Sequence, residues 1–368
     1  MKIAYLAPDV VPAPKGAAVR IERTIRTLIA LGHDVDALTP DPAEGTPANY
    51  LARMLAFRAQ AARWLEDRRA DLVQFRSIWE GAAAVAWARR VGARAVFEAH
   101  GFPSVELPYH FPALARHGQV LDKLIADERY VLAASDSVWV PSAITARYVR
   151  RLGVPGARVH VVPNAVDPGA FAPPPAPPPD VPPLRLVYVG TLSPWQGLTT
   201  LVEALALRRG AAPVEVHVVG PLKGAWGRAL RSLARSLRVQ HKVRFAGPVA
   251  HVDLPPILRT AHACVAPLAA DARNTLQGCC PIKLLEYMAA GRPILATRLP
   301  VTEDILEHGV SAHLVRPGSA AALADGIQWL VAHPEERERL GARAREAALA
   351  RFTPERFQRD VAAALNGS

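Results

Sequence analysis

From Pro173 to Pro183 the chain reads Pro-Pro-Pro-Ala-Pro-Pro-Pro-Asp-Val-Pro-Pro. A run so poor in backbone donors favours extended polyproline II and cannot sit inside a sheet. It divides the chain into two halves, and each half alternates short apolar runs with helical stretches. In the first half the runs are Lys2–Ala7, Leu72–Phe75, Ala95–Phe97, Val138–Val140 and Val159–Val162. A helix is predicted from about Gly16 to Leu31, closed by Gly32, with Val19, Ile21, Ile25, Leu28 and Ile29 on one side. The second half restarts with Leu184–Val189 and continues with Val214–Val219, Val243–Phe245, Cys264–Ala266 and Ile294–Thr297. A helix from about Gly197 to Arg209, capped by Gly210, follows its first strand. This alternation predicts a doubly wound α/β sheet in each half. The domains read as residues 1–172, a linker over 173–183, a second domain over 184–350 and a helical tail over 351–368.

The chain has 368 residues, half of them apolar, enough for two cores of ordinary size. Its formal charge of +11 calls for anionic partners. The arginines are scattered along helical stretches, and no zinc-finger or RNA-recognition signature appears, so nucleic-acid binding is not expected. Cys264, Cys279 and Cys280 make no C-x-x-C pair. A reducing, cytoplasmic setting fits them better than a disulfide framework or a zinc site. Pro8 and Asp9 cut the first apolar run too short for a signal peptide, and no run reaches the ~18 residues of a membrane span. The basic, partly apolar stretch Leu51–Arg69, with Met54, Leu55, Phe57, Trp64 and Leu65, suggests peripheral contact with the inner face of an anionic membrane.

The segment Pro281-Ile282-Lys283-Leu284-Leu285-Glu286-Tyr287-Met288-Ala289-Ala290-Gly291 reads as a short helix with Pro281 at its first position and Gly291 as its left-handed cap. The amides of Ile282, Lys283 and Leu284 would point out of its N-terminus, a natural anion site. Lys283 and Glu286 share a face. An amide cluster and a cation can hold a diphosphate, and a carboxylate one turn deeper can accept hydrogen bonds from a ribose diol. The spacing therefore describes a sugar-nucleotide pocket. A plain i, i+3 ion pair between Lys283 and Glu286 is the competing reading.

This segment resembles the donor-site helix of the retaining GT-B glycosyltransferases, in particular glycosyltransferase family 4. Glu286 matches the second of the family's two glutamates, and Gly291-Arg292-Pro293 with Ile294–Thr297 matches the tail. The first glutamate, which in the family touches the donor sugar, falls at Gly278. Lys15-Gly16-Ala17-Ala18, Gly32-His33-Asp34-Val35, Pro163-Asn164-Ala165-Val166-Asp167, Leu299–Glu303 and Arg316-Pro317-Gly318 are similar to further family elements in the same order. The resemblance implies two tandem Rossmann-like domains with ligands at the carboxyl ends of strands, in the crevice between them.

It also implies the roles. Glu286 takes the ribose, His100 at a strand end reaches the donor sugar, and Gly16 lets backbone approach the diphosphate. Gly190, Gly220, Pro281, Ile282, Leu284 and Glu303 line the donor side, and Glu98 is a further candidate. The family's Arg and Lys after the first strand of the second domain are replaced by Thr191 and Gln196, so Lys283 is expected to act as the phosphate cation, with Arg273 and Arg292 as alternatives. Trp195 is read as core. The implied reaction is transfer of a hexose from a UDP- or GDP-linked sugar to a glycan or lipid-linked acceptor, with retention and without a metal or other cofactor. A non-catalytic nucleotide-sugar-binding protein is the alternative. A dinucleotide-dependent dehydrogenase is disfavoured because no G-x-G-x-x-G follows either first strand.

Overall fold

A computed structural model describes residues 1–13, 15–41, 50–173, 182–208, 212–222 and 224–367. Most of the proline run and the expected Gly210 cap lie outside the described residues. The chain forms two compact units. One comprises Met1–Pro163, Leu276–Cys279 and Phe357–Ser368; the other comprises Asn164–Thr275 and Cys280–Arg356.

The first unit runs β1 (Lys2–Leu6), α1 (Gly16–Ala30), β2 (Asp34–Leu38), α2 (Tyr50–Glu66), β3 (Leu72–Phe75), α3 (Ile78–Val91), β4 (Arg94–Glu98), α4 (Pro103–His110), α5 (Gly118–Ala134), β5 (Ser137–Val140), α6 (Ala143–Arg151) and β6 (Val159–Val161). Its six strands are parallel, in the order β2-β1-β3-β4-β5-β6. β2, at the sheet edge and with only Leu38 buried, was not among the runs read from sequence. An edge strand open to solvent need not be apolar.

The second unit runs β7 (Leu184–Val189), α7 (Leu198–Leu207), β8 (Val214–Val219), α8 (Gly224–Ser236), β9 (Val243–Gly247), α9 (Leu254–Arg259), β10 (Ala263–Ala266), α10 (Ile282–Ala289), β11 (Ile294–Thr297), α11 (Pro300–Glu303), β12 (His313–Val315), α12 (Ala320–Ala332) and α13 (Pro334–Arg351). Its parallel order is β12-β11-β10-β7-β8-β9. The direction of winding reverses between β7 and β10, the place where doubly wound sheets hold ligands. The loops leaving those two strands carry Gly190–Gln196 and lead into α10.

The packing boundaries differ from those read from sequence. Residues 164–172 belong with the second unit, where Val166 donates its N–H to the Phe352 carbonyl at 2.8 Å and Asn164 donates to the Cys280 carbonyl at 2.6 Å. A last helix, α14 (Pro354–Asn366), returns to the first unit. Phe357 lies under the Arg20 guanidinium at 4.4 Å, and the Leu365 carbonyl accepts from Arg94 at 3.1 Å. The proline run was the visible breakpoint, but contacts of this kind decide which core a segment joins.

Of the apolar residues in α2, Met54, Phe57 and Leu65 are buried in the first unit, leaving Leu51 and Leu55 exposed beside the arginines. Among the described residues, no helix is long and apolar enough to cross a membrane.

Candidate donor site

Helix α10 begins one residue later than expected. Pro281 is its N-cap, with ψ of 110° placing it outside the helix. The Leu284 N–H is taken by the Pro281 carbonyl at 3.0 Å, so it does not supply the outward amide expected of it. At the other end Gly291 has φ of +62°, and Arg292 donates its N–H to the Tyr287 carbonyl, closing the helix as the glycine predicts. The inward face is rigidly seated: Leu284, Leu285, Tyr287 and Met288 are fully buried, and the Tyr287 hydroxyl accepts from the Val189 N–H at 2.7 Å. This bond ties α10 to the end of β7.

Lys283 reaches across to the loop that follows β7. Its ammonium donates to Gln196 Oε1 at 2.6 Å and to the Tyr188 hydroxyl at 2.9 Å, and it stands 4.1 Å from the Tyr188 ring centroid. The Tyr188 hydroxyl in turn donates to the Thr191 carbonyl at 2.7 Å. Burial pushes the Tyr188 phenol well above its usual range, so it stays neutral beneath the cation. Among the described residues no ion pair joins Lys283 to Glu286, and the competing i, i+3 reading is not realised.

Glycines follow both β7 and β8 at this point. A Cβ on Gly190 would lie 2.9 Å from the Lys283 ammonium. Gly220, at φ of +151°, would place a Cβ 2.0 Å from the Gly190 carbonyl oxygen. The close packing of Gly220 against the Gly190 carbonyl thus requires glycine at 220.

Glu286 lies deeper on α10, with its side chain 5% exposed. Its Oε1 accepts from His251 Nε2 at 2.8 Å. His251 stands on a short turn between β9 and α9, its ring 5.6 Å from that of buried Phe171. Sequence reasoning missed His251. Its position just beyond the carboxyl end of β9 was the available signal.

The other basic candidates of this unit are engaged elsewhere. Arg273 stacks on Trp195, which is core as expected, at 5.4 Å. Arg292 donates to the carbonyls of Ala290 and Ala261, at the C-terminal end of α10 and away from Lys283. Glu303 ends α11, half-exposed and 3.5 Å from Arg298.

In the first unit Glu98, the last residue of β4, is a buried hub. It accepts from Tyr5 at 2.8 Å, Arg20 at 2.7 Å, Gln74 at 3.1 Å, Arg76 at 3.3 Å and His100 at 2.9 Å. Burial alone would raise its carboxyl, but the Arg76 and Arg20 charges outweigh burial and hold it well below the usual range. So many partners make Glu98 a scaffold for its neighbours and leave it no exposed face for a ligand. His100 is what it presents, with a side chain 21% exposed. Burial and then the Arg76 charge lower the His100 pKa to about 4 against the pull of Glu98. A neutral ring that donates Nε2–H to a carboxylate keeps Nδ1 as its acceptor. Gly16 is exposed at the first position of α1, in the loop after β1.

Gly278 has φ of +80°, and a Cβ there would come within 2.8 Å of Ile144 Cβ and of the Thr145 nitrogen. Backbone conformation and space therefore both exclude a glutamate. Beside it, buried Gln277 accepts from the Phe102 N–H at 3.2 Å and donates to Glu106 at 2.9 Å. The Glu106 carboxylate lies over Gly101, where a Cβ would meet both its oxygens at 3.0 Å. Neither Gln277 nor Glu106 was singled out as a site residue from sequence. Among the described residues, no group of three His, Cys, Asp or Glu could hold a metal ion.

Two family profiles match the chain. Residues 14–170 match one described as Glycosyltransferase Family 4, and residues 183–333 match one described as Glycosyl transferases group 1. A similar curated protein is WcaL of Escherichia coli, named as a colanic acid biosynthesis glycosyltransferase, 25% identical over 67% of this chain and 60% of its own length. Another is the GDP-mannose-dependent alpha-(1-6)-phosphatidylinositol monomannoside mannosyltransferase of Mycobacterium tuberculosis, 28% identical over 62% of this chain and 61% of its own length. The matched region thus spans about three-fifths of these relatives. Among solved structures, sucrose-phosphate synthase from Thermosynechococcus elongatus superposes with a TM-score of 0.81 at 20% identity, covering 99% of this chain and 98% of its own. Anabaena HepE, solved with UDP-glucose, superposes with a TM-score of 0.76 at 19% identity over 100% of both chains. The fold is GT-B, and the chain belongs to the group 1, family 4 glycosyltransferases.

Proposed function

We propose that the protein transfers a hexose from a UDP- or GDP-linked sugar to a glycan or lipid-linked acceptor, with retention at the anomeric carbon. The observation that carries this reading is the seating of Lys283 against Gln196, Tyr188 and the Thr191 loop, on the helix that also holds nearly buried Glu286. A cation fixed at the end of β7 is suited to a diphosphate, and a carboxylate one turn along is suited to a ribose diol. The acceptor hydroxyl attacks from the face that the diphosphate leaves, and the diphosphate takes its proton. The protein then supplies orientation and charge compensation, with no carboxylate nucleophile. Lys283 provides the positive charge in a reading that requires no metal. His100, neutral near pH 7, offers Nδ1 to a sugar hydroxyl.

The mannosyltransferase from M. tuberculosis takes GDP-mannose, and HepE was solved with UDP-glucose, which supports a nucleotide-sugar donor here. The exposed arginines of α2, with Leu51 and Leu55, support peripheral contact with an anionic membrane, tested by co-sedimentation with anionic and neutral vesicles. The activity is tested by following release of UDP or GDP from a panel of nucleotide sugars, with EDTA present in a parallel series. Turnover of at least one donor is expected, unaffected by the chelator. Nucleotide binding without turnover or slow hydrolysis of any donor would favour the non-catalytic alternative, for which the glycine at 278 is the motivating feature.

A further inference from the structure

We infer that His251 is a positioning residue for the nucleotide: it fixes the Glu286 carboxylate in the orientation that accepts both ribose hydroxyls. The inference rests on the reading of Glu286 as the ribose carboxylate. A glutamate has three rotatable side-chain bonds, and a nearly buried carboxylate is costly without a partner. Among the described residues, the side-chain partner of Glu286 is His251, at 2.8 Å. Lys283, three residues before it on the same helix, is turned instead toward Gln196 and Tyr188. His251 comes from a separate element, the turn before α9, and its ring is seated against Phe171, which is 2% exposed.

The stoichiometry of lone pairs suits the role. A carboxylate offers about four acceptor positions. The His251 Nε2–H occupies one, on Oε1, which leaves Oε2 and the second position on Oε1 for a vicinal diol. His251 donates from Nε2 whether its ring is neutral or charged, so the restraint does not require a proton to be taken up. A ligand that keeps both hydroxyls would gain from the preset carboxylate. A 2′-deoxy ligand would gain less, because one of the two bonds is lost.

The test compares UDP and GDP with their 2′-deoxy forms by titration calorimetry on the full chain. The wild-type protein should favour the ribo form of its preferred nucleotide by about tenfold. His251→Phe keeps an aromatic ring against Phe171 and removes the donor. It should cut the ribo-to-deoxy ratio to about threefold or less, leaving deoxynucleotide affinity near wild type while the melting temperature drops modestly because Glu286 loses its partner. His251→Gln, which can donate to the same oxygen, should recover most of the ratio. If the Phe variant fails to fold, His251→Ala is read by the same ratio. A folded variant without the donor that keeps the wild-type ratio overturns the role of His251 and leaves Glu286 standing. A wild-type protein that binds ribo and deoxy forms equally overturns the reading of Glu286 itself, and the role of His251 with it.

Discussion

The Lys283 ammonium lies 2.6 Å from Gln196 Oε1, so the cation of helix α10 occupies the neighbourhood of a position where the family carries its own lysine. Sequence showed two cations missing, at Thr191 and Gln196, and a lysine placed unfavourably in the first turn of a helix. The structure joins the two observations. Gln196 serves as the acceptor that steers Lys283 into the end of β7, and Tyr188 lies beneath it.

Lys283→Met should therefore reduce kcat/KM by roughly 10- to 100-fold, or about 1.4–2.7 kcal/mol, because it keeps length and removes charge. Adding Gln196→Lys to that variant returns a cation to the loop and should recover part of the loss. Steady-state kinetics with the preferred donor decide the matter. A Met variant with wild-type kcat/KM removes Lys283 from the mechanism.

Gly278 should resist substitution for a steric reason independent of chemistry. At φ of +80°, with the Thr145 nitrogen and the branched Ile144 Cβ within 2.8 Å of any added Cβ, Gly278→Ala should cost about 1–3 kcal/mol of stability. Gly278→Glu should cost more and should not raise activity. Chemical denaturation measures both. An alanine variant as stable as the wild type would show that the α6 backbone yields at this point.

His100 and His313 should make their own contributions to stability acid-sensitive above the pH at which Glu98 is protonated. An unfolded histidine takes up its proton near pH 6.5, whereas His100 and His313 wait until about 4, each held down first by burial, then by the Arg76 charge at His100 and by His308 at His313. Between those values the unfolded state binds more protons at these two histidines, so their contribution to stability falls as pH falls from about 6.5 to 4, while Glu80 and Glu128, each raised to about 7 by burial, contribute with the opposite sign. Below that window Glu98 adds a loss of the same sign as that of the histidines, because its carboxyl is depressed in the folded state. His100→Asn should remove the His100 share, so that going from pH 6.5 to 4 its melting temperature falls less, or rises more, than that of the wild type. A profile with the wild-type slope would mean that His100 titrates normally in the folded protein.

Much of this was legible in the sequence, and the remainder was hidden for definite reasons. Helix α10 could be read from Pro281 and Gly291 because backbone chemistry at a helix end is local. The departure at Gly278 was visible too, but its cause, the proximity of Ile144, involves a residue more than a hundred positions away. His251 offered only its place just beyond the carboxyl end of β9, since its significance comes from Glu286, 35 residues along the chain. Glu98 shows the converse error. A carboxylate at a strand end looks available until Tyr5, Arg20, Gln74 and Arg76 converge on it. The return of α14 to the first unit rests on Phe357 and Leu365, whose partners Arg20 and Arg94 carry no mark in the sequence.

The central claim is that Glu286 and Lys283 make the second unit a nucleotide-diphosphate site. Titration of UDP and GDP into the wild type, Glu286→Ala and Lys283→Met, with melting temperatures recorded alongside, tests it most directly. The wild type should bind one of the two nucleotides. Glu286→Ala should weaken that binding by about 1.5–3 kcal/mol, the range of a charge-assisted hydrogen bond, with the fold intact. Lys283→Met should weaken binding of the diphosphate more than that of the corresponding nucleoside. Unchanged affinity in both variants, with normal melting temperatures, would contradict the account and leave Glu286 and Lys283 as structural residues of α10.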